Sequence, residues 1–200
     1  MIHYFKIVIS GFLIVLLFTF FNTIKVEKWV ITSGCSLSVS GSTNINNFVC
    51  EVTQSAPADT INHYNYDPVR KYYPISGLMF IDLAGFNCHN PMMTSDLRKT
   101  LKYKEYPKLI INFISLQKLP DLKNKKEKIT GLVDIELSGV KKRFNIEYEF
   151  QLAKANEIQV IGSKQILFSD FNLIPPRKLG GMIKTNNELN ITFNITMKSI

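Results

Sequence analysis

The chain has 200 residues, of which 46% are hydrophobic, and its formal net charge is +8. This length predicts one domain with room for extra segments at its ends, and the apolar content is enough for a sizeable core. The charge comes largely from short lysine clusters, which are typical of nucleic-acid surfaces, of anionic membrane surfaces or simply of solvated loops.

The N-terminal residues predict export. Lys6 is followed by an apolar run over residues 7–24, which is the pattern of a secretory signal. The run is slightly short for a membrane span of about 20 residues, and no small-x-small cleavage site follows it. We therefore predict that residues 1–27 form a signal helix that is either cleaved or kept as an anchor in the inner membrane. Residues 28–200 then form one periplasmic domain, and nucleic acid is excluded as a partner.

The spacing of cysteine and histidine fits no metal site. Cys35, Cys50 and Cys88 contain no Cys-x-x-Cys pair, and His63 and His89 do not lie at ligand spacing. An exported chain with three cysteines favours one disulfide with one thiol left over. The spacing alone does not decide which two cysteines pair.

The domain begins with two predicted strands. Cys35, Leu37 and Val39 alternate with serines, residues 41–47 predict a turn, and Phe48 begins the second strand.

A long polar connection with four tyrosines follows over residues 55–73. Loops of this length are usually functional or partly mobile. The connection is either a flap over a barrel mouth or, as we favour, an insertion whose tyrosines cover the sheet. Residues 75–88 predict a third strand, which is central because both of its faces are apolar in places.

Residues 90–106 predict the one helix of the domain. Leu97 and Leu101 lie one turn apart on one face, and Pro107 ends the helix. Such a short helix must pack on the sheet to be stable. Three residues could cap its start, Thr94, Ser95 or Asp96. Residues 108–116 then predict another strand.

The clearest pattern covers residues 128–152, where apolar and polar residues alternate on both sides of Ser138 and Gly139. Because successive side chains of a strand point to opposite faces, this pattern predicts a hairpin with one face on a core and the other in water. The carboxylates that we expect on the wet face are Asp134, Glu136, Glu147 and Glu149.

The remaining chain completes a barrel. Residues 158–168 and 188–200 predict strands, whereas two adjacent prolines and two adjacent glycines exclude a regular strand from residues 171–186. Seven or eight strands in meander order with one short helix predict an all-β fold, a closed antiparallel barrel. The sequence contains no catalytic set and no nucleotide-binding loop. We therefore expect a binding protein without a cofactor rather than an enzyme.

Several short motifs follow one another in the order seen in a known family. They are Gly41, Ser42, Thr43, Asn44, Asn47 and Phe48 in the first turn; Asp96, Leu97, Leu101, Tyr106 and Pro107 around the helix; Gly131, Ser138, Gly139, Val140 and Lys141 in the hairpin; and Ser169, Asp170, Phe171, Pro175 and Pro176 near the end. In the order and spacing of these residues, the chain from Trp29 onward resembles the YceI family of exported lipocalin-like barrels.

This resemblance implies a single extended lipocalin-like barrel with a covering helix. It further implies a monomer or homodimer that carries a long amphiphile, typically a polyisoprenoid, without cofactor or chemistry. It also implies a disulfide between Cys50 and Cys88, which leaves Cys35 as a thiol. Asn172 stands where the family commonly has glycine after Asp-Phe, so the ligand of this chain can differ from that of its relatives.

The residues that we expect to line a ligand lie on apolar strand faces: Phe80, Ile111, Phe113, Val133, Ile135, Phe144, Ile146, Tyr148, Ile191 and Phe193. Burying a methylene contributes about 0.8 kcal/mol, and association costs on the order of 4 to 15 kcal/mol, so the ligand must be long. The alternative is that these residues fill the barrel completely. The chain would then be an envelope stress or interaction protein whose basic rim meets an anionic membrane surface or another partner.

Overall fold

The computed structural model describes residues 26–54, 60–121, 126–154 and 157–200. The predicted signal or anchor over residues 1–27 lies almost entirely outside these ranges. Within them, no helix is both long and apolar enough to cross a bilayer.

The described residues form ten strands and one α-helix. The strands are β1 (Glu27–Thr43), β2 (Asn47–Gln54), β3 (Thr60–His63), β4 (Tyr73–Asp82), β5 (Lys108–Leu116), β6 (Lys126–Leu137), β7 (Val140–Lys154), β8 (Glu157–Leu167), β9 (Arg177–Lys178) and β10 (Ile183–Ser199). The helix is α1 (Pro91–Thr100), and short 3-10 turns cover Leu83–Gly85, Phe168–Phe171 and Leu179–Gly181.

The sheet closes on itself because β1 pairs antiparallel with β10, from Trp29 opposite Ser199 to Thr43 opposite Thr185. On its other edge, β1 pairs with β3 near its start and with β2 towards its end, so that these two shorter strands share one place in the wall. Strands β4 to β8 follow in order, and β8 returns to β10. The predicted all-β antiparallel barrel with one short helix is therefore confirmed.

The two ends of the barrel differ. Strand β1 runs from an end that carries Trp29 to an end where the β1–β2 turn, α1, the β6–β7 turn and the connection between β8 and β10 come together. We call these the floor and the helix end.

A disulfide between Cys50 and Cys88 ties the chain that follows β4 to β2, as the resemblance implied. No ladder joins β2 to β4 in the described ranges, because β3 takes that place in the wall. Instead, the backbones of Glu51 and Asn87 exchange two hydrogen bonds of 2.8 Å beside the disulfide. The disulfide therefore closes the wall where the ladder is interrupted. Cys35 stays a buried thiol.

The connection predicted over residues 55–73 contains a strand, β3, which the sequence analysis missed. Its residues alternate, with Ile61 and His63 buried, and it pairs with both β1 and β4. Part of this polar segment is therefore barrel wall rather than a flap or an insertion. Its tyrosines cover the outside, where the rings of Tyr66 and Tyr73 lie 5.2 Å apart.

Three predicted element ends and the predicted helix cap are wrong. The cap of α1 is Asn90, whose side chain accepts a hydrogen bond from the Met93 N–H, and the helix ends at Thr100 rather than at residue 106. Strand β4 ends at Asp82, where the carboxylate accepts from the Ala84 N–H and starts a 3-10 turn. Strand β10 begins earlier than predicted, at residue 183, inside the segment from which a strand was excluded. Strand β9 also lies in that segment.

Asp134 is buried, which corrects the prediction that it lies in water with Glu136, Glu147 and Glu149. Its carboxylate accepts two hydrogen bonds from Arg143, at 2.7 and 3.0 Å, and lies 3.5 Å from the Lys141 ammonium. The bond from Arg143, aided by the charges of both cations, holds the pKa of Asp134 below its usual value. Hydrogen bonding across the strand pair thus compensates the burial of a charge on the outer face.

The disulfide predicts a large loss of stability on its removal. The chain-entropy relation gives about 4 kcal/mol for a cross-link of this span, which joins residues separated by 38 positions. Urea unfolding should show this loss in the Cys50→Ser/Cys88→Ser variant. A reducing agent should destabilise the parent to the same level and leave the variant unchanged. Cys35→Ala, the control, should keep its sensitivity to reduction.

Asp134 predicts a pH-dependent contribution to folding. Because its folded pKa is lowered, the contribution is present above the unfolded pKa of about 3.9 and is lost as the pH falls through the folded value. Asp134→Asn should lower the free energy of unfolding at pH 7 by about 1 to 3 kcal/mol. The difference in the free energy of unfolding between variant and parent should be smaller when urea unfolding is measured at pH 2 than when it is measured at pH 5. Glu147→Gln, at an exposed pair, should change stability by less than about 1 kcal/mol.

Candidate functional site

The interior of the barrel contains an apolar cavity of about 60 Å³ beneath α1. Alternation along the strands aims one side chain in two at this space. The cavity is lined by Leu37, Val39, Leu83, Phe86, Leu97, Leu101, Leu109, Ile111, Ile135, Leu137, Ile146, Lys164, Ile166, Leu189, Ile191 and Phe193. Among these residues Lys164 is the only charged one.

An aromatic layer separates this cavity from a second one of about 20 Å³ nearer the floor. Phe193 lines both spaces. Its ring lies over Gly162, where a Cβ would come within 2.0 Å of it, and it meets the ring of Tyr148 edge-on at 5.8 Å. Gly162 is therefore the residue that lets the Phe193 ring cross the interior.

The Tyr148 hydroxyl is buried in this layer without a hydrogen-bond partner among the described residues. Burial raises the pKa of Tyr148, so the phenol is neutral. A buried hydroxyl that makes no hydrogen bond costs about 1 to 3 kcal/mol. The layer consequently offers one polar atom, able to donate or accept, in apolar surroundings.

The floor of the barrel is covered by aromatic rings. Trp29 packs against His63 with ring centroids 4.5 Å apart and against Phe150 at 6.3 Å. The His63 Nε2 lies 3.4 Å from a carboxylate oxygen of Glu27. These packed rings make the helix end or the wall the more favourable place for a ligand to enter.

Helix α1 closes the opposite end and is held by four polar contacts. The Thr94 hydroxyl oxygen accepts from the Cys88 N–H at 2.9 Å. The buried Ser138 hydroxyl donates to the Leu101 carbonyl at 2.8 Å, Arg98 Nη2 donates to the Phe86 carbonyl at 2.8 Å, and Lys178 Nζ donates to Asp96 at 2.7 Å. The contacts lie on the β6–β7 turn, on the chain after β4 and on β9. Leu97 and Leu101 project beneath the helix into the cavity.

A groove of about 180 Å³ runs between α1, the β1–β2 turn and the start of β10. Leu97 lines both this groove and the inner cavity, so its side chain is the partition between them. The groove has an apolar rim, because Ile45 and Met92 are 64% and 66% exposed. Displacement of Leu97 would join the groove to the interior.

The structure brings seven of the ten predicted lining residues to the two cavities. Five line the larger cavity, Ile111, Ile135, Ile146, Ile191 and Phe193. Phe113 and Tyr148 line the smaller one. Val133 and Phe144 are buried in the core but line neither space.

Phe80 was predicted wrongly as a lining residue. It lies on the outer face, 42% exposed, and the Lys108 ammonium sits 5.5 Å from its ring. Met79 and Ile81 are the inward residues of β4. The sequence Leu78–Ile81 is apolar at every position, so its alternation could not be assigned from the sequence.

Sequence reasoning also missed Lys164 and the lining residues from α1 and β1. The apolar lining residues could have been predicted from the alternation of β1 and from the helical spacing of Leu97 and Leu101. Lys164 lies on the inward side of β8, between buried Gly162 and Ile166. The alternation along β8 could have identified Lys164 as an inward-facing residue.

The basic clusters are in part neutralised. Lys141 and Arg143 contact Asp134, and Lys142 contacts Asp170. No group of three or more His, Cys, Asp or Glu side chains that could hold a metal ion occurs within the described ranges.

Neither a family model nor a curated protein matches the chain. Solved structures do match it. Burkholderia cenocepacia BcnA has a TM-score of 0.57 at 16% identity, covering 81% of this chain and 95% of that one. A polyisoprenoid binding domain from Saccharophagus degradans, implicated in plant cell wall breakdown, has a TM-score of 0.56 at 11% identity, covering 88% and 100%.

A Campylobacter jejuni YceI protein has a TM-score of 0.51 at 19% identity, covering 71% of this chain and 78% of that one. The chain has a YceI-type fold. The resemblance seen in the sequence is thus confirmed for the fold, and the Cys50–Cys88 pairing that it implied is also present. Identities this low say nothing of the ligand.

The aromatic layer predicts that removal of the Phe193 ring opens the interior. Phe193→Ala should lower the free energy of unfolding by about 3 to 5 kcal/mol and join the two cavities. Benzene should then raise the urea midpoint of the variant but not of the parent. Phe80→Ala, the matched control on the outer face, should cost about 1 kcal/mol or less and show no response to benzene.

Proposed function

We propose that this chain is a non-enzymatic binding protein that holds a long-chain lipid, isoprenoid in kind, inside its barrel on the periplasmic side of the inner membrane. The observation that supports it best is the apolar interior beneath α1, lined by one charged and fifteen apolar residues. A solved structure of similar fold is described as a polyisoprenoid binding domain. Binding fits this interior better than catalysis, because it presents no group of reactive side chains.

The interior must enlarge when the ligand enters. An apolar protein cavity of about 150 Å³ is known to hold one benzene molecule, whereas the larger cavity here measures about 60 Å³. Leu97 lines both the cavity and the groove, which indicates where enlargement begins. If α1 moves outward, the groove and the cavity become one channel.

The length of the ligand follows from the free energy that its burial must supply to offset the cost of association. Each buried methylene contributes about 0.8 kcal/mol, while association costs on the order of 4 to 15 kcal/mol. Opening the contacts of α1 adds to that cost. A chain of five carbons therefore does not suffice, whereas three or more isoprene units do.

The small cavities also favour a second candidate, a packed barrel without a ligand that acts in the envelope through its surface. In this case the volumes of about 60 and 20 Å³ are packing defects. Its exposed basic and apolar groups would meet an anionic membrane or another protein.

Lipid extraction separates the two candidates. The full chain, purified after expression with its signal in a bacterial envelope, should release a long-chain amphiphile in about one copy per protein when extracted with organic solvent, as measured by mass spectrometry. A preparation that releases no amphiphile in such amounts would contradict the lipid-binding proposal and support the packed barrel.

A larger side chain in the cavity should block uptake. Ile111 is buried and lines the cavity, whereas its neighbour Ile110 faces outward and is half-buried. Ile111→Phe should weaken binding of the apolar dye N-phenyl-1-naphthylamine at least about tenfold, at a stability cost of about 1 to 3 kcal/mol. Ile110→Phe should bind the dye like the parent. Equal dye binding by all three proteins would place the dye outside the barrel.

A further inference from the structure

The wall of the barrel is incomplete between β7 and β8. Their ladder extends from Lys154 opposite Glu157 to Glu147 opposite Ser163, and it stops there. The first seven residues of β7, up to Ile146, have no partner on β8 in the described part of the chain. The two strands therefore separate towards the helix end.

The upper part of this gap is filled by the 3-10 turn after β8. Asp170 of that turn binds Lys142 of β7, and the rings of Phe171 and Phe144 lie 5.9 Å apart. Between this plug and the last rung at Glu147 an opening remains. We call the opening, bounded by Ile146, Lys164 and Ile191, the seam window.

The seam window lies between the cavity and the outside. A cleft on the outer wall is lined by polar residues of β6, β7, β8 and β10 together with Ile146, Lys164 and Ile191. The same three residues line the cavity. The cleft and the cavity therefore meet across these side chains.

Lys164 is the unusual member of this set. It occupies an inward position of β8, opposite Ile191 of β10, where its neighbours Gly162 and Ile166 are buried. In the described ranges it makes no hydrogen bond and no ion pair. Other lysines of the wall, such as Lys126 and Lys128, are paired with glutamates at 2.8 Å.

The carboxylates near Lys164 are already engaged. Glu147, which lines the cleft, binds Lys128 at 2.8 Å. Asp170 accepts from Lys142 and from the Leu167 N–H. Burial alone would raise the pKa of Asp170, but these bonds and the charges of Lys142 and Lys164 lower it overall. Lys164 thus makes the electrostatic potential of the seam window more positive, and no carboxylate of the described residues binds it directly.

An ammonium at the edge of an apolar cavity is stabilised by an acidic partner. We propose that the seam window binds the acidic head group of a long-chain amphiphile, a carboxylate or a phosphate, against Lys164, while the chain fills the barrel. This inference rests on the proposed function and adds to it the class of head group and its place. The aliphatic stem of Lys164 packs with Ile146 and Ile191, and its charge faces the cleft, as such side chains do at boundaries.

Three probes with the same fifteen-carbon chain test the proposal: farnesol, farnesoic acid and farnesyl monophosphate. Each is titrated into the full chain at pH 7.5 below its aggregation limit, in competition with N-phenyl-1-naphthylamine. The parent should bind one or both acidic probes at least about tenfold more tightly than farnesol. That preference should fall as salt is raised from 0.05 to 0.5 M, concentrations chosen for screening, while farnesol binding stays constant.

Variants of Lys164 test whether this residue causes the preference for acidic probes. Lys164→Met should bind farnesol like the parent and lose the preference for acid, whereas Lys164→Arg should keep it. Lys154→Met, a matched change at an exposed lysine of β7 outside the seam window, should leave all three affinities unchanged.

The outcomes separate this inference from the proposed function. Tight farnesol binding without preference for either acid, or a preference that survives in Lys164→Met, would overturn the inference and leave the lipid carrier standing. Failure of all three probes to bind would overturn both. A preference for the carboxylate alone or the phosphate alone supports the inference and names the acid.

Discussion

The closure of the sheet by β1 and β10 is the constraint on which the rest of the molecule depends. An open sheet has two faces, and alternation merely assigns apolar residues to one of them. Once the first and last strands pair, that face becomes an interior, and every inward side chain competes for the same limited volume. Cavity, aromatic layer and floor follow from this competition. The disulfide at Cys50 and Cys88 serves closure too, because it joins the wall where backbone pairing is interrupted.

The interior is small, and its covers are held by contacts other than strand pairing. Four polar contacts hold α1. The turn above the seam window is held by the Asp170–Lys142 ion pair, by two hydrogen bonds between Ser169 and Asn187, and by the contact of the Phe171 and Phe144 rings. These contacts lie outside the strand ladders that form the wall. Movement of either cover would therefore leave the ladders in place, which would let a packed barrel admit a guest without unfolding.

The sequence predicted the barrel well wherever apolar and polar residues alternate strictly, as in the hairpin of β6 and β7. It failed where that pattern is absent: Phe80 lies in a stretch that is apolar at every position, and β3 is only four residues long in polar surroundings. The burial of Asp134 could not be predicted, because it depends on Arg143 reaching across the strand pair. The pairing of Cys50 came from a family resemblance rather than from spacing. Cavity volumes depend on rotamers, such as that of Phe193, which no pattern specifies.

The direction of β1 has a topographical consequence. The strand begins at Glu27 beside the floor and ends near α1, so the chain enters the barrel at the floor. Seventeen residues of strand tilted as in small barrels rise by about 40 Å. Any surface or partner that holds the start of β1 therefore faces the floor. Helix α1 and its groove then lie about 40 Å from that surface, and the seam window opens sideways between the two ends of the barrel.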